Sequence, residues 1–322
     1  MKSIRQQIIH GLSNDGPGHV LVLGDCLDIL EHVPSNTVQA FITSPPYDTR
    51  RKATYGGVHE AGYLEWLLPR IRLMVMALTP TGVLVCNISP GRKSDGSLSI
   101  YDMQLVSTLV VEDGLAFAQK LNWLKGNFSK FVKNNTLMGG AGTGSVHRDC
   151  CEPIYVFARN MKFYRDINAV KNPIGDWAST RVNGKSGRVN SSTGSGFGCD
   201  RVKAAENEFA RPHNVVRDDF DECENGIIVT PTATNGGENN TYKHSAVFPT
   251  TIPAHFIAYA TRAMDVVCDP FVGSGTTMYT AFRDGRRSIG IDSSPDSIEK
   301  AKQRLNDNNV PYLFIDASKV LA

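Results

Sequence analysis

The chain has 322 residues, 41% of them apolar and 20% charged, and a net charge of +2, a balance that suits a soluble globular protein with one catalytic domain and a substantial insertion. No apolar run reaches the roughly 18 residues a membrane span needs, and the opening Met1-Lys2-Ser3-Ile4-Arg5-Gln6-Gln7 lacks the apolar core of a signal peptide. Seven cysteines, an odd number without a CxxC spacing, argue against a disulfide framework or a bound metal and for buried thiols in a reducing, cytoplasmic compartment.

In chain order, His19-Val20-Leu21-Val22-Leu23 is an apolar run ending at Gly24-Asp25, and Val38-Gln39-Ala40-Phe41-Ile42-Thr43 is another, ending at a Pro-Pro turn. Both read as buried strands. Residues 63–78 have helical periodicity, with Leu64, Leu67, Leu68, Ile71, Val75 and Leu78 on one broad face. Thr79-Pro80-Thr81-Gly82 is expected to stop that helix, and 83–88 to form the next strand. A further strand is expected at 154–158.

Residues 160–243 differ in character. Gly, Asn and Ser dominate, as in Asn190-Ser191-Ser192-Thr193-Gly194-Ser195-Gly196, and long apolar periodic segments vanish. This reads as a loop-rich insertion or as partly disordered chain. From 159 to 217 there are eleven Lys/Arg and five Asp/Glu, a local charge of +6. A second basic knot is Arg50-Arg51-Lys52. Such clusters are solvated faces or contacts to a polyanion. Alternation resumes after 244, with a strand expected at 265–268, a helix at 276–284, a strand at 288–291 and a helix at 297–306. Strands separated by single helices imply right-handed crossovers and a mostly parallel sheet covered on both faces, an α/β fold.

Two turns carry candidate chemistry. Asp269-Pro270-Phe271-Val272-Gly273-Ser274-Gly275-Thr276-Thr277 joins a predicted strand to a predicted helix. Its glycines permit a sharp turn and close approach to a ligand. Asp292 ends the next strand, 19 residues after Gly273, where an acid can accept hydrogen bonds from ribose hydroxyls. The turn is neither a GxGxxG nor a phosphate loop, so dinucleotides and nucleoside triphosphates are disfavoured. A Gly-x-Gly turn alone is often structural, but the placed acid favours a ligand site. The other turn is Ser44-Pro45-Pro46-Tyr47. Its prolines fix φ near −65° and donate no N–H, so they hold a rigid turn with outward carbonyls. Ser44 adds a hydroxyl and Tyr47 a ring for stacking. Alone this is a rigid surface turn as readily as a site.

Together the two turns resemble the β-class amino-methyltransferases of bacterial restriction–modification systems, in which a Pro-Pro-aromatic catalytic motif precedes the cofactor motif. The segment 269–276 is similar to that family's cofactor loop. His244-Ser245-Ala246-Val247-Phe248-Pro249 resembles its His-Pro-Ala-x-Phe-Pro segment, with Ser245 where proline is common. Gly24-Asp25 matches an early Gly-Asp, and Glu152-Pro153-Ile154-Tyr155-Val156-Phe157 a late strand.

The resemblance implies a Rossmann-like S-adenosylmethionine-dependent fold of permuted motif order. Residues 1–159 would be the catalytic part, 160–243 an inserted target-recognition region and 244–322 the cofactor-binding part. Ser44, Pro45, Pro46 and Tyr47 would be catalytic. Asp25, Cys26, Thr43, Phe248, Pro249, Asp269, Pro270, Phe271, Gly273, Ser274, Gly275, Thr276, Asp292 and Ser293 would line the cofactor, with Asp25 at the adenine and Asp292 at the ribose. Arg50, Arg51, Lys52, Arg148, Arg181, Lys185 and Arg188 would contact double-stranded DNA, and His147 lies beside them. Serine before Pro-Pro-Tyr points to N4 of cytosine, and aspartate there would point to N6 of adenine. No Pro-Cys dipeptide is present for C5 methylation. A cognate restriction endonuclease is the implied functional partner, and the resemblance leaves monomer and homodimer open.

Overall fold

The structure is a computed structural model that describes residues 2–46, 60–91, 97–125, 151–170, 172–173, 209–210, 215–216, 229–230 and 249–320. The N-terminal part contains α1 (Ile4–Gly11), β1 (His19–Leu23), α2 (Cys26–Leu30), β2 (Val38–Thr43), α3 (Glu60–Ala77) and β3 (Leu78–Asn87). It continues with α4 (Tyr101–Ser107), a π-helical turn over Thr108–Glu112, β4 (Ala116–Lys125) and β5 (Cys151–Ala158). Short strands follow: β6 (Asn172–Pro173), β7 (Phe209–Ala210), β8 (Val215–Val216) and β9 (Val229–Thr230). The C-terminal part runs α5 (Thr251–Ala260), β10 (Val266–Asp269), α6 (Thr276–Arg283), β11 (Arg287–Asp292), α7 (Pro295–Asp307) and β12 (Leu313–Asp316). Among the described residues no helix is long and apolar enough to cross a membrane.

The main sheet runs β12-β1-β11-β10-β2-β3-β5-β4-β8, with β9 also on β4. From β12 to β3 every pairing is parallel; β5 is antiparallel to both β3 and β4. β8 and β9, from the sequence's low-complexity stretch, extend the sheet beyond β4. Residues 160–170 fold back on the body instead: Phe163 is buried against Tyr259, and Tyr164 N donates to Thr81 O.

Side chains alternate across the sheet, so each face has its own core. Val20 and Val22 of β1, Ile289 and Ile291 of β11 and Cys268 of β10 pack with α1, α2, α3 and α4 on one face. Ala40, Ile42 and Val267 pack with α5 on the other, and Leu21 packs with α6 and α7.

The strands expected at 19–23 and 38–43 are found with those bounds. The helix ends at Ala77, beside the expected stop at 79–82, but the strand expected at 83–88 begins earlier: those four residues belong to β3. The register against β2 shifts between Val38 and Ala40, which accommodates the extra length. Gln39 fills that irregularity: its amide donates to Thr81 O and Ala260 O and accepts from the Thr79 hydroxyl. The end of α3 is closed by Arg159, whose guanidinium donates to the Val75, Met76 and Leu78 carbonyls.

Candidate active site

The neighbouring parallel strands β1, β11, β10 and β2 end at one edge of the sheet. Asp25 follows β1, Asp292 closes β11, Asp269 closes β10 and Thr43 closes β2. In an open parallel sheet the carboxyl ends of the strands are where ligands bind. Segments far apart in sequence become neighbours there because β10 returns to lie beside β2.

The junction between the two turns is one carboxylate. Asp269 Oδ1 accepts from Thr43 Oγ1 at 2.8 Å and from Phe271 N at 3.1 Å, and Oδ2 accepts from Thr277 Oγ1 at 2.7 Å. Burial pushes the Asp269 carboxyl up to about 6, while these three donors pull it down and Asp292 raises it. Asp269 and Thr43 are both buried, so their polar groups face each other inside the protein. They brace the two turns.

The glycine turn is shaped by its left-handed residues. Gly273 has φ +53° and Gly275 has φ +80°, and a Cβ on Gly275 would meet Ala301 at 3.3 Å. Asp292 Oδ2 accepts from Gly273 N at 2.9 Å, and Oδ1 from Ser294 N at 2.9 Å. The acid therefore fixes the turn opposite it. Gly275 is the N-cap of α6, so the cap has no side-chain bond and Thr276 is the first helical residue. Ser274 is buried and accepts from Arg304 Nη2 at 3.3 Å. Pro249 and Pro270 are buried, and Ser293 is exposed.

At the end of β1, Asp25 caps α2 by accepting from Leu27 N at 2.8 Å. Arg70 Nη2 also donates to both its oxygens, at 3.0 and 2.8 Å. The Arg70 side chain is 7% exposed and that of Asp25 46%, so the pair has one buried and one open partner. Arg70 lies 4.4 Å over the Trp66 ring, and Trp66 stands 5.6 Å from Phe271 of the glycine turn, both half-buried. Cys26 beside Asp25 is a neutral thiol, pushed up to about 12 by burial.

In the Ser-Pro-Pro turn Ser44 and Pro46 are half-buried and Pro45 is buried. The Pro46 carbonyl accepts from the Tyr63 hydroxyl at 2.9 Å. Nearby, Asp102 Oδ2 accepts from the Tyr155 hydroxyl at 2.7 Å, and Asn87 Nδ2 donates to Pro153 O at 3.0 Å. Tyr63, Trp66, Arg70 and Asp102 were not among the residues expected from sequence. Tyr47, Arg50, Arg51, Lys52, His147, Arg148, Arg181, Lys185, Arg188 and Phe248 lie outside the described residues.

A parallel sheet with a carboxylate-pinned glycine turn beside a rigid Ser-Pro-Pro turn defines an α/β enzyme built around a nucleoside-type cofactor. A family model described as DNA methylase, of the N6/N4 methyltransferase type, matches residues 38–303, and the chain belongs to that family. It is a DNA methyltransferase. The type II methyltransferase M.PvuII of Proteus hauseri is 25% identical to it over 292 residues, 90% of this chain and 84% of that one. The solved PvuII DNA methyltransferase (cytosine-N4-specific) superposes with a TM-score of 0.62 at 19% identity, covering 94% of this chain and 97% of that one. A Thermus thermophilus protein described as a DNA modification methylase, solved with S-adenosyl-L-methionine, gives 0.58 at 19% identity over 92% and 98% of the two chains. These likenesses show a common fold.

Proposed function

We propose that the chain methylates the exocyclic N4 of cytosine at specific sites in duplex DNA. The observation that carries this reading is the hydrogen bond from Thr43 to Asp269, which fastens the Ser44-Pro45-Pro46 turn beside the glycine turn. Support for the base comes from serine before Pro-Pro, and from the likeness to a methyltransferase described as cytosine-N4-specific.

S-adenosylmethionine is the methyl donor, and the residues present suit it. The Asp292 carboxylate, which accepts from Gly273 N and Ser294 N, is an acceptor of the kind that suits ribose hydroxyls. The half-buried Trp66–Phe271 pair offers apolar ring surface to an adenine, and Asp25 Oδ2 is an acceptor for its amino group. When bound, the donor supplies an electrophilic methyl group on a cationic sulfur.

The chain's own task is at the target nitrogen. An exocyclic amino group shares its lone pair with the ring and is a poor nucleophile. Acceptors at Ser44 Oγ and the Pro45 carbonyl hold its two N–H groups and draw the nitrogen toward tetrahedral geometry, which localises the lone pair. Positioning and electrostatics supply the rate, without a covalent intermediate. A paired base cannot reach this turn, so the cytosine is flipped out, and Tyr47 stacks on it. Arg50, Arg51 and Lys52 contact phosphates near the flipped base, while Arg148 and the 160–243 segment with Arg181, Lys185 and Arg188 read the target. A restriction endonuclease cutting the same site is the functional partner this reading implies.

The test is product analysis. Duplex DNA is incubated with labelled S-adenosylmethionine, digested to nucleosides and separated. Label in N4-methylcytosine is expected; label in N6-methyladenine would overturn the base assignment, and no label in DNA would overturn the substrate.

A further inference from the structure

Helix α3 touches both halves of the site, and none of its residues carried an expected role. Tyr63, Trp66 and Arg70 stand at i, i+3 and i+7, which places them along one side of the helix. Tyr63 reaches the catalytic turn and Arg70 the end of β1. Trp66 lies between them and touches the glycine turn through Phe271.

Each contact has a specific physical consequence. A Ser-Pro-Pro turn has carbonyls but no proline N–H with which to tie itself down. The Tyr63 hydroxyl supplies the missing donor at Pro46. That hydroxyl is aimed by its buried ring, which packs 4.5 Å from Tyr101 and 5.8 Å from Trp66. Tyr101 is held in turn by donating to the Ser89 carbonyl. With Pro46 engaged, the turn's orientation is set from behind, and the Pro45 carbonyl and Ser44 keep a fixed aim.

At the other end, Arg70 Nη2 grips both oxygens of Asp25, and Nη1 donates to Trp66 O at 2.7 Å. Arg70 Nε is buried with no hydrogen-bond partner among the described residues. A buried donor left without a partner is unfavourable, so a purely stabilising helix residue is poorly served by this arrangement. The arginine does align three groups at once: the Asp25 carboxylate, the Trp66 ring and, through that ring, Phe271.

We propose that α3 sets the two half-sites against each other, with Tyr63 positioning the catalytic turn and Arg70 positioning the wall that receives the adenine end of the donor. The proposal rests on the methyltransferase reading, and it makes the two residues separable. Tyr63 acts on the target nitrogen and Arg70 on donor binding, although they share one helix and one core. A merely structural role would lower stability in both variants and leave no such division.

The experiment compares Tyr63→Phe, Arg70→Met and Arg70→Lys in the full chain. It uses steady-state methylation of duplex DNA, thermal unfolding, and calorimetric titration with S-adenosylhomocysteine. Tyr63→Phe removes only a hydroxyl and is expected to lower kcat about tenfold or more, with product-cofactor affinity unchanged and only a small drop in melting temperature. Arg70→Met is expected to weaken S-adenosylhomocysteine about tenfold and raise KM for the donor by a similar factor, with a much smaller change in kcat. Arg70→Lys keeps the charge but loses the planar group over the Trp66 ring and the Nη1 bond to Trp66 O, and recovers only part of that loss. Equal effects of Tyr63→Phe and Arg70→Met on kcat and affinity would overturn the proposal, as would full activity in Tyr63→Phe. The calorimetric arm needs no turnover and no assigned base. A wild-type chain that methylates adenine would thus revise the function without touching the division of labour along α3.

Discussion

The two turns at the ends of β2 and β10 are neighbours made from opposite chemistry. The Ser-Pro-Pro turn is stiffened by Pro45 and Pro46, which remove N–H donors and leave oxygen acceptors. The glycine turn is bent by Gly273 and Gly275 in left-handed conformations, which bring the Gly273 N–H to the Asp292 carboxylate. A target amino group offers N–H and needs acceptors. The ribose of a nucleoside offers hydroxyls and needs an acid held at a fixed distance. On the proposed function each turn is built with what its ligand lacks, and Asp269 bonds to both Thr43 at one turn and Thr277 behind the other. The contrast also predicts which substitutions disturb chemistry, which disturb binding and which disturb only the brace.

The largest effect is expected at the acceptor side. Ser44→Ala removes one of the two proposed acceptors and should cost about 10²- to 10³-fold in kcat, with donor affinity unchanged. Single-turnover rates alongside a donor titration check this, and near-wild-type methyl transfer would end the role assigned to Ser44.

The brace comes next, because it is a buried acid. Burial raises the folded-state value for Asp269 from 3.8 to about 6, so the folded chain holds this proton more tightly than the unfolded chain does. The contribution of Asp269 to stability is fully present below about pH 4 and is lost as pH rises through about 6, a difference of about 3 kcal/mol in order of magnitude. Asp269→Asn cannot titrate. Its stability relative to wild type should therefore improve between pH 4.5 and pH 7.5, although it loses acceptor strength toward Thr43 and Thr277. Urea unfolding of both proteins at the two pH values measures the difference, and parallel pH profiles would contradict it.

The donor side gives a smaller effect, read in stability and binding. Gly290 lies in β11 beneath the glycine turn, and a Cβ there would sit 2.4 Å from Met278 Sδ and 2.8 Å from Val272 Cγ2. The methionine can move, but Val272 carries the turn. Gly290→Ala should cost about 2 kcal/mol and weaken donor binding more than it slows methyl transfer at saturation. Loss of stability with donor affinity intact would show that Val272 yields without shifting the turn.

Much of this architecture can be read from the sequence where local signals agree. The β1 and β2 runs end at Gly-Asp and Pro-Pro, and the helix expected at 276–284 forms at Thr276–Arg283 because the glycine turn fixes its start. Signals fail where tertiary contacts decide. Thr79-Pro80-Thr81-Gly82 follows the helix end as expected, yet it lies within β3 as an excursion between Leu78 and Val83, which pair with Val38 and Ala40 of β2, and Gln39 binds its polar groups. Helix α5, Thr-Ile-Pro-Ala-His-Phe-Ile-Ala-Tyr-Ala, is apolar nearly all round and shows no amphipathic period to read. The candidate site divides in the same way. Ser44, Gly273 and Asp292 stand in motifs, but Tyr63 and Arg70 matter through contacts 17 and 45 residues away in sequence. No local pattern encodes those.

The finest test separates the two threonines on Asp269. Thr43 and Thr277 each donate one hydroxyl to this carboxylate, at 2.8 and 2.7 Å, and each is buried. Thr43 ends β2 before the Ser-Pro-Pro turn, whereas Thr277 belongs to α6 behind the glycine turn. Replacement by valine keeps the shape and removes the donor, so each variant should lose about 1 kcal/mol of stability. Both should also move the Asp269 titration upward, since each hydroxyl favours the charged form. Their kinetics should differ. Thr43→Val loosens the turn that aims Ser44 and should lower kcat by a few fold, while Thr277→Val should act mainly on donor affinity. Matching kinetic profiles would mean that the carboxylate holds the two turns as one unit. Diverging profiles would show that acceptor turn and donor turn remain mechanically distinct despite their common brace.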